Sequence, residues 1–379
     1  MAVGIHYSPG MTREEYKSLL AGVQTKLSTD NCFMLKKQAL EFDDTTMQAV
    51  IEDSRITENS CISVTFHQAS KMKYYNTRGM SAEGKVIIQS DILPESIWEE
   101  DNVIDIPFSY GCSSFLDNNG VLHIVLNDTY YTISPENGLQ IISSNIPETC
   151  YKNANTIFYN SEGLHILGCN ETAYDGLQHL LFDGTNWSYQ EVTPVDFTMS
   201  RAIEDSNGVI HLFGGIFTDT KSCHYTYNNG VWNRESDLPI EVAMCAVVID
   251  NEGCINIMGG YNPVTDENNY AHYRLSDVGW ELVTVLPNTG TYKYSGVVSD
   301  NGEIHLIGSD TEFTYTSGVH LVFRNGRWIK LPGVDALCKD ALVYKHNGTL
   351  YTIGFDAEIG TLYRLDPFQL TCNILVMNQ

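Results

Sequence analysis

Residues 299–309 read SDNGEIHLIGS. The Asn-Gly pair supplies the positive φ angles of a tight turn, and the apolar run after it returns as a strand. The same phrase stands at 205–215 as DSNGVIHLFGG and at 250–260 as DNEGCINIMGG. Its turn glycine falls at Gly120, Gly163, Gly208, Gly253, Gly302 and Gly348, in steps of 43, 45, 45, 49 and 46 residues. A tryptophan recurs downstream at Trp187, Trp232, Trp280 and Trp328, in steps of 45, 48 and 48. A repeat of this length is a unit that cannot bury its own faces and must pack on further copies of itself.

Each unit holds two hairpins. In the fifth, YSGVVSD and EIHLIG flank one turn, and VHLVF and RWIKLP flank the RNG turn. Four antiparallel strands in some 45 residues make one sheet, and a ring of six such sheets buries every face. The units run 107–147, 148–194, 195–239, 240–287, 288–334 and 335–379. Each unit is expected to be complete in sequence, with TCNILVMNQ as the outer strand of the sixth. VIDIP at 103–107 resembles the end of an outer strand such as WIKLP, which leaves open a share in closing the ring. Through Gly214-Gly215, Gly259-Gly260, Trp232 and Trp280, the stretch 107–379 resembles the kelch repeat. Cys169, Ser309 and Phe355 depart from it where a second glycine would stand. The resemblance implies a six-bladed kelch-like β-propeller. It assigns no function, because propellers of this kind serve enzymes, adaptors and adhesins alike.

Composition narrows the classes. Of 379 residues 43% are hydrophobic and 18% charged, enough apolar content for a core and too little charge for a disordered acidic chain. The formal charge of −25, from 22 basic and 47 acidic residues, repels nucleic acid and anionic membrane surfaces. The N-terminus MAVGIHYSPG lacks the basic and apolar regions of a signal peptide, and no apolar run is long enough to span a bilayer. None of the ten cysteines forms a C-x-x-C pair, so buried free thiols are expected.

Histidines fall in two columns. His123, His165, His211 and His305 occupy the second strand of their units, and His179, His224, His272 and His320 start the third. Adjacent imidazoles suit a metal, but no third ligand recurs, and Asn256 and Tyr351 replace the first column elsewhere. Packing and hydrogen bonding are the expected role, with no metal and no cofactor. The S-x-D-x-G-x-x-W boxes of sialidases are absent, as are a nucleophile elbow, H-E-x-x-H and a P-loop. The Cys, Tyr and His ligand set of kelch-type copper oxidases cannot be traced. The sequence therefore leads to the expectation that the chain is not an enzyme.

The first 106 residues lack the period. Thr12 and Glu15 form a capping box, and Tyr16, Leu19, Leu20, Val23 and Leu27 line one face of an expected helix over 11–27. Strands are expected in 47–66 and 84–106, with a short helical or irregular link over 69–80. The fold class is mainly β: a six-bladed kelch-like β-propeller with a small N-terminal α+β domain. The domains are a helical attachment segment (1–55), a small β-rich module (56–106) and the propeller (107–379). Through RITENSCISVTF, GKVIIQSDILPESI and VIDI, residues 56–106 resemble a module of tail and fibre proteins of phages of Gram-positive gut bacteria. That resemblance implies a virion structural protein, a tail-tip or fibre adhesin. It would contact other virion proteins through residues 1–106 and assemble as a homo-oligomer, with a trimer as the leading form. An intracellular kelch-type interaction adaptor and a glycan-processing enzyme are the alternatives. The loops between second and third strands vary most, and their aromatics and acids suit a host glycan or surface protein. The candidate ligand residues are Tyr174, Phe217, Tyr261, Asp266, Tyr270, Phe313 and Tyr315.

Overall fold

A computed structural model of the chain describes residues 32–38, 40, 42–67, 77–90, 96–107, 112–134, 136–147, 156–169, 177–217, 221–288, 294–309, 318–334, 337–356, 359–367 and 371–378. Every regular element among them is a β-strand. The expected helix over 11–27 lies outside these residues. The chain divides into two compact units, one of residues 1–95 with 368–379 and one of residues 96–367.

The smaller unit holds two three-stranded sheets. In one, β32 (Thr371–Met377) lies between β1 (Cys32–Gln38) and β3 (Cys61–His67). In the other, β5 (Lys85–Ser90) lies between β2 (Gln48–Glu52) and β4 (Thr77–Ala82). Thr77–Ala82, expected to belong to a helical or irregular link, is thus a strand. Phe33, Ala49, Ile51, Ile56, Val86, Ile88, Ile374 and Val376 form the core of the unit.

The larger unit consists of six four-stranded antiparallel sheets. The first runs β7 (Cys112–Leu116), β8 (Leu122–Leu126), β9 (Thr129–Ser134), β10 (Gly138–Ser143). The second runs β11 (Thr156–Asn160), β12 (Gly163–Cys169), β13 (Gln178–Phe182), β14 (Trp187–Tyr189). The third runs β15 (Arg201–Glu204), β16 (Ile210–Phe213), β17 (His224–Asn228), β18 (Val231–Arg234). The fourth runs β19 (Ala246–Ile249), β20 (Ile255–Met258), β23 (Ala271–Ser276), β24 (Gly279–Val285), with a two-residue hairpin, β21 (Tyr261–Asn262) and β22 (Glu267–Asn268), in its central loop. The fifth runs β25 (Tyr294–Val298), β26 (Ile304–Ser309), β27 (Gly318–Arg324), β28 (Arg327–Leu331).

The sixth sheet corrects the sequence reading. It runs β29 (Leu337–His346), β30 (Thr349–Asp356), β31 (Ile359–Pro367) and then β6 (Ser96–Pro107), from the other end of the unit. TCNILVMNQ does not supply its outer strand. Thr371–Met377 instead pairs in full register with Cys32–Gln38 and with Cys61–His67. VIDIP closes the sheet: Ile104 stands opposite Gly360 and Trp98 opposite Leu365. The unit therefore begins at Ser96 and ends at Pro367, not at 107 and 379.

Inner strands β7, β11, β15, β19, β25 and β29 neighbour one another in chain order, and β29 lies against β7. Apolar clusters fill the spaces between consecutive sheets. Ala246, Val248 and Met258 of the fourth meet Ile304, Leu306 and Leu321 of the fifth. Ile106, Leu342 and Ile353 of the sixth meet Leu122, Ile124 and Tyr131 of the first.

The repeated phrase is now explained. Gly120, Gly208, Gly253 and Gly302 have φ of 76°, 78°, 81° and 87°, open to glycine at little cost. Asp205 Oδ1 accepts from the N–H groups of Asn207 and Val209 at 2.8 and 2.9 Å, and Asp117 and Asp250 do the same in their own turns. The Asp side chain thus mimics a backbone turn and fixes the hairpin.

Candidate functional site

Side chains of the turns start hydrogen-bonded chains that run into the first, second and fourth sheets. In the first sheet the Tyr130 hydroxyl and His123 Nδ1 are 2.7 Å apart, and His123 Nε2 lies 3.4 Å from Asp117 Oδ2. In the second, His165 Nε2 stands 3.0 Å from Asn160 Oδ1 and His165 Nδ1 2.7 Å from His179 Nε2. His211 meets His224 at 3.0 Å and His305 meets His320 at 2.9 Å in the same sense. In the fourth sheet Asn256 Nδ2 donates to Asp250 Oδ2 and Asn256 Oδ1 accepts from His272 Nε2, both at 2.9 Å. An amide has one donor end and one acceptor end, as a neutral imidazole has, so Asn256 continues the same chain.

Burial holds these imidazoles neutral. It pushes His179, His272 and His305 down to about 4, His224 to about 3 and His165 to about 2, with each partner imidazole adding to the effect for His224 and His165. The paired nitrogens already donate to or accept from each other. Among the described residues no three His, Cys, Asp or Glu side chains stand close enough to hold a metal ion. The columns anchor turns to strands.

The tryptophans cover these chains from the next sheet. His179 packs edge-on against Trp232 at 6.1 Å and His224 against Trp280 at 6.2 Å, and His272 packs at a tilt against Trp328 at 5.5 Å. His320 takes Trp98 of β6 at 5.5 Å. Trp98 is the fifth tryptophan of the chain, and it fills in the sixth sheet the place that Trp328 fills in the fifth. That period was present in the sequence as the signal for the closing strand.

A cavity of about 470 Å³ runs along the axis of the six sheets. Phe115, Ile203, Val247, Val297 and Val343 line it with Asp117, Asn118, Arg201, Glu204, Asn251 and Lys345. One end is packed by the turns between first and second strands. Asn118 Nδ2 donates to the Asp205 carbonyl at 3.0 Å, and Lys345 pairs with Asp300 at 2.8 Å. A Cβ on Gly348 would stand 2.8 Å from Asp300 Oδ2. Strand direction alternates within each sheet, so the loops joining second to third strands gather at the opposite end. Burial raises the Glu204 carboxyl and neighbouring Asp117 and Asp205 add to it, against a hydrogen bond from the Asn118 N–H. For Asp117 burial acts upward too, but hydrogen bonds from His123 and the Val121 N–H outweigh it and the group titrates below the usual carboxylate range.

Of the sequence candidates, Phe217, Tyr261, Asp266 and Tyr270 are described, and Tyr174, Phe313 and Tyr315 lie outside the described residues. Phe217 is 40% exposed. Tyr261 donates its hydroxyl to Asp266 across the β21–β22 hairpin. The Tyr270 hydroxyl donates to Asn288 at 2.9 Å and accepts from Asn268 at 3.3 Å. Tyr261 and Asp266 are thus brought together, and Tyr261 and Tyr270 each brace a loop. The axial cavity with Arg201 and Glu204 was not foreseen, because the sequence shows spacing along strands and not the convergence of six inner strands.

No family model and no curated protein matches the chain. The resemblance of 56–106 to a phage tail module accordingly finds no support among them. Solved structures do match. One titled "Structure of YjhT" is 14% identical, with 69% of this chain and 95% of that chain covered and a TM-score of 0.52. A streptogramin B lyase is 13% identical over 72% of this chain and 98% of that one, with a TM-score of 0.42. A fungal alcohol oxidase in complex with copper is 12% identical over 71% and 76%, with a TM-score of 0.48. The expectation that the chain is not an enzyme is corrected: the fold it shares with the first of these structures is a scaffold on which enzymes are also built, so missing sequence motifs do not exclude catalysis. What the similarity at a TM-score of 0.52 shows, with the four-stranded sheets, is the fold: a β-propeller.

Proposed function

We propose that the chain is an attachment protein built on a six-bladed kelch-like propeller, which recognises a hydroxyl-rich surface ligand at the end where the variable loops gather. The observation that carries this reading is the axial cavity, walled by apolar side chains with a few convergent amides, carboxylates and one guanidinium. Residues 1–95 would join it to other virion proteins at a tail tip or fibre, as a homo-oligomer that adds avidity to weak single contacts. The test is binding of the purified full chain to a glycan array and to intact host cells. Replacing Phe217, Tyr261 and Tyr270 together by Ala should abolish binding with the melting temperature within a few degrees. Binding that survives the triple change would move the working surface elsewhere. Light scattering that finds a monomer would remove the oligomer.

A second reading, that the cavity transforms what it binds, is favoured by Glu204. Its raised carboxyl lines the cavity, as a general acid would. Mass spectrometry of array glycans after incubation decides between binding and turnover.

A further inference from the structure

The chain carries acids over bases by 47 to 22, so a guanidinium should find a carboxylate with ease. Most do. Arg55 pairs with Asp53, Arg234 with Asp237, Arg274 with Asp250 and Glu252, Arg324 with Glu303 and Arg364 with Glu99. Arg201 is different. It is half-buried, it lines the axial cavity, and among the described residues its guanidinium makes no ion pair or hydrogen bond. Its place in the repeat is equally unusual. Seven residues before the turn glycine, the first five units carry Ser113, Thr156, Arg201, Ala246 and Ser295. Of these, Arg201, Ala246 and Ser295 line the cavity, and the third unit alone of the five carries a cation at this position. A break in a repeat with no gain in packing points to a ligand.

The rest of the cavity defines the partner. Arg201 and Glu204 bound β15, so they stand about 10 Å apart along the strand. Beyond Glu204 come the amides of Asn118 and Asn251 and the Ser206 hydroxyl. A guanidinium presents a fork of donors that matches a carboxylate, and amides, hydroxyl and carboxyl suit alcohols. A volume of about 470 Å³ admits one sugar-sized molecule with its water. The charge of −25 slows the approach of an anion, but inside the cavity the local guanidinium sets the sign.

We propose that the axial cavity binds a monosaccharide-sized polyol carrying one carboxylate, with the carboxylate on Arg201 and the hydroxyls toward Glu204, Asn118 and Asn251. This rests on the reading of the propeller as a recogniser of hydroxyl-rich ligands, and narrows it to one charged class. Calorimetric titration of the full chain at low salt with D-glucuronate, D-glucose, acetate and inorganic phosphate tests it. Glucuronate should bind at least about tenfold more tightly than the other three, and Arg201→Gln should weaken it about tenfold or more. Arg201→Lys should fall between, since it keeps the charge and loses the fork. Should Arg201→Gln not fold, the lysine variant and the loss of wild-type binding with rising salt decide the same question. Acetate or phosphate binding as tightly as glucuronate would overturn the proposal, as would an Arg201→Gln protein that binds like wild type. Array glycans bound without any glucuronate binding would overturn this inference alone. Loss of both would remove the recognition reading as well.

Discussion

Replacing His165 by Asn tests whether the buried histidines set the acid limit of the fold. His165 has no exposed surface and stacks on Phe158 at 4.3 Å, with one nitrogen facing His179 and the other Asn160. Asn256 shows that an amide can hold both ends of such a chain. At neutral pH the variant should therefore lose only the ring contact, about 1 kcal/mol. Burial and His179 push His165 down to about 2 in the folded protein, against an ordinary value near 6.5. The unfolded chain then takes the proton first. The stability from keeping His165 neutral is complete above pH 6.5 and declines as pH falls below it, by about 1.4 kcal/mol per pH unit. At pH 4.5 that is about 3 kcal/mol lost to this residue, which the asparagine does not lose. The variant should be about 1 kcal/mol less stable at pH 7.5 and about 2 kcal/mol more stable at pH 4.5, with the curves crossing near pH 6. Urea melts of the full chain by tryptophan fluorescence between pH 4.5 and 8 measure this. Parallel curves without a crossing would refute the assignment of acid sensitivity to His165. His165→Ala is the control. It removes the partner of a buried imidazole and leaves a hole, so it should cost about 2–4 kcal/mol at neutral pH.

Trp98→Ala should cost about 3–5 kcal/mol and lower the melting temperature of the propeller unit, although the residue stands far from that sheet's other strands in sequence. Deleting residues 371–379 removes the strand between β1 and β3, so the smaller unit should become protease-sensitive while a fragment near 96–367 resists. A fragment of 108–379 should fare worse than one of 96–367, because it lacks the closing strand and keeps an orphaned one. Gly302→Ala forces an L side chain to φ +87° and sets its Cβ 3.1 Å from Asn251 Nδ2, at about 1–2 kcal/mol, whereas Gly326→Ala in open space should cost only the φ strain, about 1 kcal/mol.

The turn glycines and the I-H-L strands made the repeat legible, because a tight hairpin demands positive φ and a sheet buried between two others demands unbroken apolar strands. Chain closure was harder to see. TCNILVMNQ has the apolar content of an outer strand, and nothing local tells it apart from β32 paired with β1 and β3. The discriminating residue was Trp98, which continues the column of Trp232, Trp280 and Trp328 but sits ahead of the first unit in the chain. The histidine columns were legible as pairs, because they sit at fixed offsets from the turn. Their partners in the turn were not, since the second carboxylate oxygen of Asp117 or Asp250 is free in sequence and occupied only once the hairpin has formed. The cavity was least legible, as its lining comes from five separate sheets.

The two ends of the propeller answer to different physical demands, and that division bears on where function resides. At the turn end of the first four sheets the same solution recurs with conservative exchange: Asp or Asn at the turn, His or Asn in the second strand, His or Tyr in the third. A chain of neutral donors and acceptors fails if any link lacks the right end, and a lost link in the interior leaves a buried polar atom unsatisfied. That end is therefore held to a few residue types by stability alone. The loop end has no such chain. Its hairpin β21–β22 exists in one sheet only among the described residues, braced by Tyr261 on Asp266. Between the ends, the inner strands keep small residues at the level of Arg201 in every other compared unit. Stability offers no reason for a lone guanidinium there, since serine, threonine or alanine fills the place in the other four units. The residue whose presence folding leaves unexplained is thus the residue that a ligand has most reason to require.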